Sequence, residues 1–267
     1  MSVTLTTLSE NTAGRPGFMA EWGQSILVQT DGCTVLFDVG ASNVGLINAD
    51  RLGVDLTTVD VIVLSHGHAD HTGGLRDTLK RLGKTRVIGH PCIWDAKYTK
   101  RPNEEKEAFI GIPFVREELE YLGASFELTP DPVVLSDQVM TTGEVEMTTD
   151  FESVENNLLV KEGNGFRQDL LEDDLSLIVR MDQGLLLVLG CAHRGTINTL
   201  RHAQKLTGEK RIYAVVGGTH LGPASQDRIE KTIQHLKDVG LEKIGISHCN
   251  GFYASAKVAQ AFGENFF

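Results

Sequence analysis

The sequence predicts an α/β fold with more than one sheet, and three observations carry that expectation. The chain opens in β-type runs, a buried strand feeds a histidine-rich junction and then a helix, and the second half alternates strand with helix. Residues 25–30 and 33–39 are apolar, β-branched runs joined at Asp31-Gly32, a dipeptide that favours a tight hairpin. Residues 59–64 read as a fully buried strand, and residues 72–82 have helical spacing with Gly83 as the stop. Short β-like runs at 133–135, 138–141 and 145–148, punctuated by Pro, Gly and Asp, point to a second sheet.

Downstream, residues 175–180 and 185–189 form a strand pair around Asp182-Gln183-Gly184, followed by a helix at 196–206. Strand, helix, strand and helix then follow at 212–216, 225–239, 243–246 and 254–262. Residues 95–123 break the pattern: charged, irregular and interrupted by Pro102 and Pro113, they read as a helical or irregular insertion or lid within one domain spanning 1–267. Such a segment is also a candidate homodimer surface.

Composition bounds the function. Hydrophobic residues make up 41% of the 267, enough for a sizeable core, while the formal charge of -11 argues against tight binding to nucleic acid, which needs concentrated Lys and Arg. The basic-rich stretches 80–86 and 97–106 read as solvated faces, the second because it alternates with Glu104, Glu105 and Glu107. The N-terminus lacks the basic-then-apolar layout of a signal peptide, and the longest apolar run, 185–189, is far short of a membrane span, so a cytoplasmic protein is expected. Cys33, Cys92, Cys191 and Cys249 show no C-x-x-C spacing, which indicates neither a zinc ribbon nor a disulfide framework.

The chemistry concentrates in His66-Gly67-His68-Ala69-Asp70-His71. His66 and His68 lie two apart at a strand end, so in extended backbone both rings point to one side and can share an ion. Asp70 and His71 fall where the chain turns into a helix, which lets a carboxylate and a third imidazole reach a second ion. Later strand ends supply further ligands in Cys191-Ala192-His193, Gly218-Thr219-His220 and His248-Cys249-Asn250. The expected sets are His66, His68 and His193 for one ion and Asp70, His71 and His248 for the other, with a position left open for water. Cys191, on the same strand face as His193, either binds or borders the ions or is inert packing. His220 is expected beside the site in a substrate or proton-transfer role, and Asp70 as a second catalytic group that orients water or accepts a proton.

Asp38, ending a hydrophobic strand, is either a carboxylate holding a ligand imidazole or a turn cap. His90, His202 and His235 fall outside the site. The segments 60–66 and 242–248 both end an apolar strand in Ser-His, either because these residues are common at strand ends or because two halves of the chain converge on one site.

With these residues in view, the chain resembles the metallo-β-lactamase superfamily, whose hallmark is H-x-H-x-D-H after a strand. The resemblance covers essentially the whole chain. It implies an αββα sandwich of two mixed sheets flanked by helices, with a dinuclear site at one edge holding two divalent ions, zinc or else iron, manganese or nickel. The segments 20–25, 37–40, 190–195, 217–221 and 247–251 are similar to the branch of enzymes that make the dihydropterin-ribofuranosylaminobenzene phosphate intermediate of methanopterin synthesis. One departure stands out: Gly190-Cys191 occupies the place where many superfamily members carry Gly-Asp with a metal-bridging carboxylate. Water, Cys191, or an acid from Asp173-Asp174 are the candidates to replace it.

The resemblance implies a metallohydrolase or transferase acting on a small phosphorylated or pterin-like molecule. Three rivals share the residues: a nuclease or phosphodiesterase, which needs a basic exosite or arm; a glyoxalase-type thiolesterase, which needs the Gly-Asp bridge; and a non-catalytic metal- or ligand-binding module, which predicts a ligand set missing a member.

Overall fold

The computed structural model describes residues 2–267. In chain order the first half runs β1 (Val3–Ser9), β2 (Ser25–Thr30), β3 (Thr34–Phe37), α1 (Val44–Leu52), β4 (Val61–Val63), α2 (Ala69–Thr72), α3 (Leu75–Leu82) and β5 (Thr85–Gly89). It continues through β6 (Lys97–Thr99), β7 (Ala108–Phe109), α4 (Arg116–Tyr121), β8 (Ala124–Leu128) and β9 (Val139–Thr141). The second half is β10 (Leu158–Glu162), β11 (Gly165–Gln168), β12 (Ser176–Met181), β13 (Gly184–Leu189), α5 (Thr196–Thr207), β14 (Ile212–Gly217), α6 (Gln226–Asp238), β15 (Lys243–Ile246) and α7 (Gly251–Phe262).

Two large sheets, ordered β1-β2-β3-β4-β5-β8 and β15-β14-β13-β12-β9, carry the architecture. Their inner strands, such as β3, β4 and β13, are apolar on both faces, as strands covered on both sides must be. Ile26, Val28, Val35, Phe37, Val61 and Val63 of the first sheet pack into one buried layer with Leu177, Val179, Leu186 and Val188 of the second. The alternate residues Leu27, Leu36 and Ile62 point the other way, onto Ala49, Leu75, Leu79 and Leu119 of the helices. On the far side, Leu185, Leu187 and Val215 meet Ile197 and Leu200 of α5, Ile229 of α6 and Val258 of α7. The layering is therefore helix, sheet, sheet, helix, the sandwich that the resemblance implies. No helix among the described residues is long and apolar enough to cross a membrane.

The Asp31-Gly32 hairpin forms as predicted, with pairing from Ile26–Phe37 to Gln29–Thr34 and the Thr30 N–H donating to the Cys33 carbonyl at 3.0 Å. From β12 onward the elements fall within a few residues of their predicted limits, whereas β10 and β11 were not anticipated. The middle differs. Residues 145–148 form no strand, because Asn198 Oδ1 takes the Thr148 and Thr149 N–H groups at 2.7 and 2.8 Å instead. Residues 133–135 contribute an isolated bridge from Val134 to Met140. The segment 95–123 is more ordered than expected: β6 and β7 join β10 and β11 in a third sheet of order β11-β10-β6-β7, and α4 closes the segment. Its pairing partners, such as Leu158 opposite Thr99, lie some sixty residues away, so local periodicity does not reveal it.

That sheet corrects one reading of the charge pattern. Lys97 is not on a solvated face but 1% exposed, with its ammonium donating to Asp169 Oδ2 at 2.8 Å and Asp173 Oδ1 at 2.9 Å. Asp173 in turn accepts the Gly67 N–H at 2.8 Å, so the pair anchors the histidine loop from below. A Cβ on Gly67 would collide with the Ile93 carbonyl, which is why the loop needs glycine there. Burial opposes the charge on Lys97, but the two carboxylates outweigh it and raise its pKa above the ordinary 10.5. A raised lysine stabilises the fold below the unfolded value and loses that contribution as pH rises through the folded one. Lys97→Met, which leaves two buried carboxylates without their cation, is expected to lower stability by about 3–5 kcal/mol in urea unfolding at neutral pH. A loss under 1 kcal/mol would return Lys97 to the solvated class.

Candidate metal centre

The parallel strands of both sheets end at one edge, and every residue of the predicted constellation sits just beyond a strand terminus, where ligands of open α/β sheets gather. Strand β4 leads into His66, His68 and the short α2 that carries Asp70 and His71; β13 leads into Cys191 and His193, β14 into His220, and β15 into His248. Four non-glycine residues at these exits, Asp38, Ala192, His220 and His248, adopt left-handed backbone with φ of 56°, 50°, 46° and 57°. Such positions each cost about 1–3 kcal/mol and persist where the surrounding packing over-determines them.

Asp38 is fully buried and organises the first-sheet side. Its Oδ1 accepts the Ser65 N–H at 2.7 Å, and its Oδ2 accepts the Ser65 hydroxyl at 2.8 Å and His71 Nδ1–H at 2.6 Å. The Ser65 hydroxyl, having given its proton to Asp38, accepts His66 Nδ1–H at 2.9 Å. Both imidazoles thereby direct Nδ1–H to their acceptors and turn Nε2 to the centre. The carboxylate-holding role considered for Asp38 is the one its contacts match.

On the opposite side, Asn11 Oδ1 accepts His248 Nδ1–H at 3.0 Å, the Asn11 amide donates to the His248 carbonyl at 3.0 Å, and Glu10 Oε1 accepts the His248 N–H at 2.8 Å. His248 Nε2 then faces His71 Nε2 at 3.1 Å and Asp70 Oδ2 at 3.2 Å. Two imidazole lone pairs this close require a cation between them. A proton suffices electrostatically, since the Asp38 and Asp70 carboxylates overcome the effect of burial and raise His71 to about 9. A divalent ion meets the same demand with three ligands in place.

The other cluster tells the same story through unpaired atoms. His66 Nε2 lies 2.9 Å from His68 Nδ1. Buried His68 Nε2 and both ring nitrogens of buried His193 have no hydrogen-bond partner among the described residues. Burial and the nearby His220 push His193 down to about 4, so at neutral pH one of its ring nitrogens offers a lone pair. Ligand atoms of His66, His68 and His193 lie within 4.8 Å of one another, as do those of Asp70, His71 and His248. The two predicted triads are thus brought together as sets, and their chemistry fits divalent ions.

His220 sits beside His193 with ring centroids 4.1 Å apart. Glu155, which sequence reasoning missed, reaches both: its Oε2 is 3.6 Å from His193 Nδ1 and 3.6 Å from His220 Nε2, with Arg228 3.7 Å behind. Glu10, Asn11 and Lys97 were also missed; only Ser65 carried a signal, through the repeated Ser-His strand ending. His90 caps a turn by accepting the Cys92 N–H at 3.1 Å, His202 bonds the Thr142 carbonyl, and His235 stacks on Phe151, all away from the centre as expected.

A cleft of about 700 Å3 opens onto the cluster. His68, Asp70, His193 and His220 form its floor, and Trp22, Phe109 and Arg101 stand along its walls. Trp22 is 64% and Phe109 49% exposed, and Trp22 leans over His248 with ring centroids 5.5 Å apart. The segment 95–123 therefore contributes directly to the wall of the cleft.

The class defined by this fold and site agrees with the comparisons. The chain belongs to the metallo-β-lactamase superfamily, whose model matches residues 23–147, and it is a metal-dependent enzyme of that superfamily. A Methanocaldococcus jannaschii protein described as 7,8-dihydropterin-6-methyl-4-(β-D-ribofuranosyl)-aminobenzene-5'-phosphate synthase is 32% identical, over 99% of this chain and 93% of its own. The crystal structure of Tm1679, described as a metal-dependent hydrolase of the β-lactamase superfamily, superposes with a TM-score of 0.85 at 31% identity, over 98% of this chain and 94% of that one. A diphosphatase of the PhnP family shares the fold alone, with a TM-score of 0.53 at 13% identity and coverage of 99% and 94%.

Asn11→Ala keeps every candidate ligand but frees the His248 ring to turn. It is expected to weaken metal retention about 10- to 100-fold in competition with a chelator, and unchanged retention would leave the Asn11 contact without a role in the site.

Proposed function

We propose that this protein uses two divalent ions, zinc in the first instance, to act on a small phosphorylated or pterin-like substrate, as a transferase of the dihydropterin-aminobenzene-phosphate synthase kind or a phosphate-ester hydrolase. The observation that carries the reading is the pair of triads, His66/His68/His193 and Asp70/His71/His248, on the floor of a cleft with aromatic and cationic walls. The similarity to the synthase from M. jannaschii along nearly the whole chain supports the substrate class.

Divalent ions held by the triads would supply Lewis acidity, polarising a phosphoryl or carbonyl oxygen and offsetting the charge that develops on it. The chain's own groups do the rest. Trp22 and Phe109 offer exposed faces on which a planar ring stacks. Arg101, on the same cleft, presents a guanidinium fork suited to a phosphate. Asp70, held well below the usual carboxylate range because His71 and His248 outweigh the effect of burial, stays ionised and orients the attacking group. His220 has its pKa raised, since Cys249 and Glu155 outweigh burial, and it faces the cleft as a proton donor to the leaving group. The small-molecule reading is favoured over a nuclease by the net charge of -11.

Elemental analysis of the wild type beside His68→Ala, with both assayed against a phosphodiester, a thioester and a dihydropterin pyrophosphate, tests the proposal. Two metal equivalents in the wild type, loss of metal on mutation and turnover of the pterin or another phosphate ester are expected; a metal-free, inert wild type, or turnover of the thioester alone, overturns it. His220→Gln is expected to lower kcat by about 10²- to 10⁴-fold with metal content unchanged. Arg101→Ala is expected to raise KM for a phosphorylated substrate about 10- to 100-fold while leaving kcat in place.

A further inference from the structure

Three groups were candidates to stand where a bridging carboxylate would be: a water, an acid from Asp173-Asp174, and Cys191. The structure separates the protein candidates. Asp173 is committed on both oxygens, to Lys97 at 2.9 Å and to the Gly67 N–H at 2.8 Å. Asp174 turns its Oδ2 to the Arg194 N–H at 2.8 Å, and although its buried Oδ1 has no hydrogen-bond partner, neither oxygen joins His66, His68, His71, His193 or His248 in a metal-ligating grouping. Cys191 is different. Its sulfur lies 3.2 Å from His71 Nε2, and it falls within 4.8 Å of ligand atoms in three separate groupings: with His66 and His71, with His193 and His220, and with His248 and Cys249. Those groupings include His66 and His193 from one triad and His71 and His248 from the other.

We infer that Cys191 is a metal ligand shared by both ions, a thiolate bridge that takes the place of a carboxylate. The inference rests on the reading that the two triads hold ions. The side chain is 2% exposed and stands at the exit of β13, the rigid central strand of its sheet, so its position is set by backbone rather than by a flexible arm. Ligation forms the sulfur–metal bond and releases the thiol proton to solvent. A soft sulfur donor among imidazoles biases the site toward zinc, and away from magnesium and calcium, which prefer oxygen.

Cys249, the neighbouring thiol, does not share this role. It joins only the grouping with Cys191 and His248, and its sulfur accepts the His220 N–H at 3.2 Å, a contact that holds the His220 backbone in place. A Cβ added to Gly218 would run into that sulfur, so the packing fixes Cys249 from behind.

The test is cobalt(II) exchanged into the full-length protein and read by absorption spectroscopy rather than by activity. Wild type is expected to show visible d–d bands from the histidine and carboxylate ligands together with a near-ultraviolet sulfur-to-cobalt charge-transfer band. Cys191→Ser is expected to lose the charge-transfer band and to bind its weaker cobalt equivalent on the order of 100-fold less tightly, while Cys249→Ser keeps the band. Cys191→Asp, which restores a carboxylate, is expected to bind two equivalents without the band, and it carries the test if the serine variant loses its native circular dichroism. Visible bands with no charge-transfer band in wild type, or a band that survives in Cys191→Ser or disappears in Cys249→Ser, overturn the thiolate bridge and leave the triads intact. The absence of any cobalt bands overturns the metal reading and the bridge with it.

Discussion

The buried carboxylate of Asp38 is the constraint on which the centre depends. It is an anion with no exposed surface, and such a group is tolerated only where donors surround it. Ser65 and His71 provide those donors, and through Ser65 the same carboxylate also sets His66. One aspartate at the end of β3 thus fixes the tautomers of two imidazoles, one from each triad. A left-handed backbone at Asp38 is the local cost of aiming its side chain across the strand ends.

The second sheet answers with an arrangement built from different parts. His248 is held by Asn11 and Glu10, which follow β1 at the beginning of the chain, while His193 and His220 share Glu155 from the loop before β10. Each centre-facing imidazole with an identified anchor is oriented by an oxygen acceptor behind it, and the anchors come from widely separated stretches of sequence. The orientation of the rings, more than their identity, is what the surrounding fold supplies.

The legibility of these features follows from their range. The H-x-H-x-D-H run, the Ser-His strand endings at 66 and 248, and the strand-helix alternation after residue 175 are local patterns, and their period-2 or 3.6 spacing reads directly as structure. The partner of Asp38 was open between a cap and an imidazole until the packing of β3 beside β4 decided it. Lys97 reads as solvated in sequence because its two carboxylates lie more than seventy residues on, and a charge run without its partners looks exposed. Glu10, Asn11 and Glu155 are ordinary loop residues in sequence, and only the closure of the sandwich shows what they touch. The small third sheet escaped for the same reason, since β6 and β7 are too short to declare themselves without β10.

The placement of the ligands also makes the centre a clasp between layers. His66, His68, Asp70 and His71 hang from the first large sheet, and Cys191, His193 and His248 from the second, so an ion held among them would fasten two sheets that also meet through apolar packing and through hydrogen bonds such as Gln24 to the Leu189 carbonyl. Its binding energy is then also cohesion energy: at a thousandfold excess over the dissociation constant a single such ion adds about 4 kcal/mol to the stability of the closed sandwich. The residues up to His71 and the last 20, already joined by the Glu10 and Asn11 contacts to His248, would be coupled more firmly at that edge by such an ion, and the supply of metal would then set how firmly the sandwich stays shut as well as whether it can react.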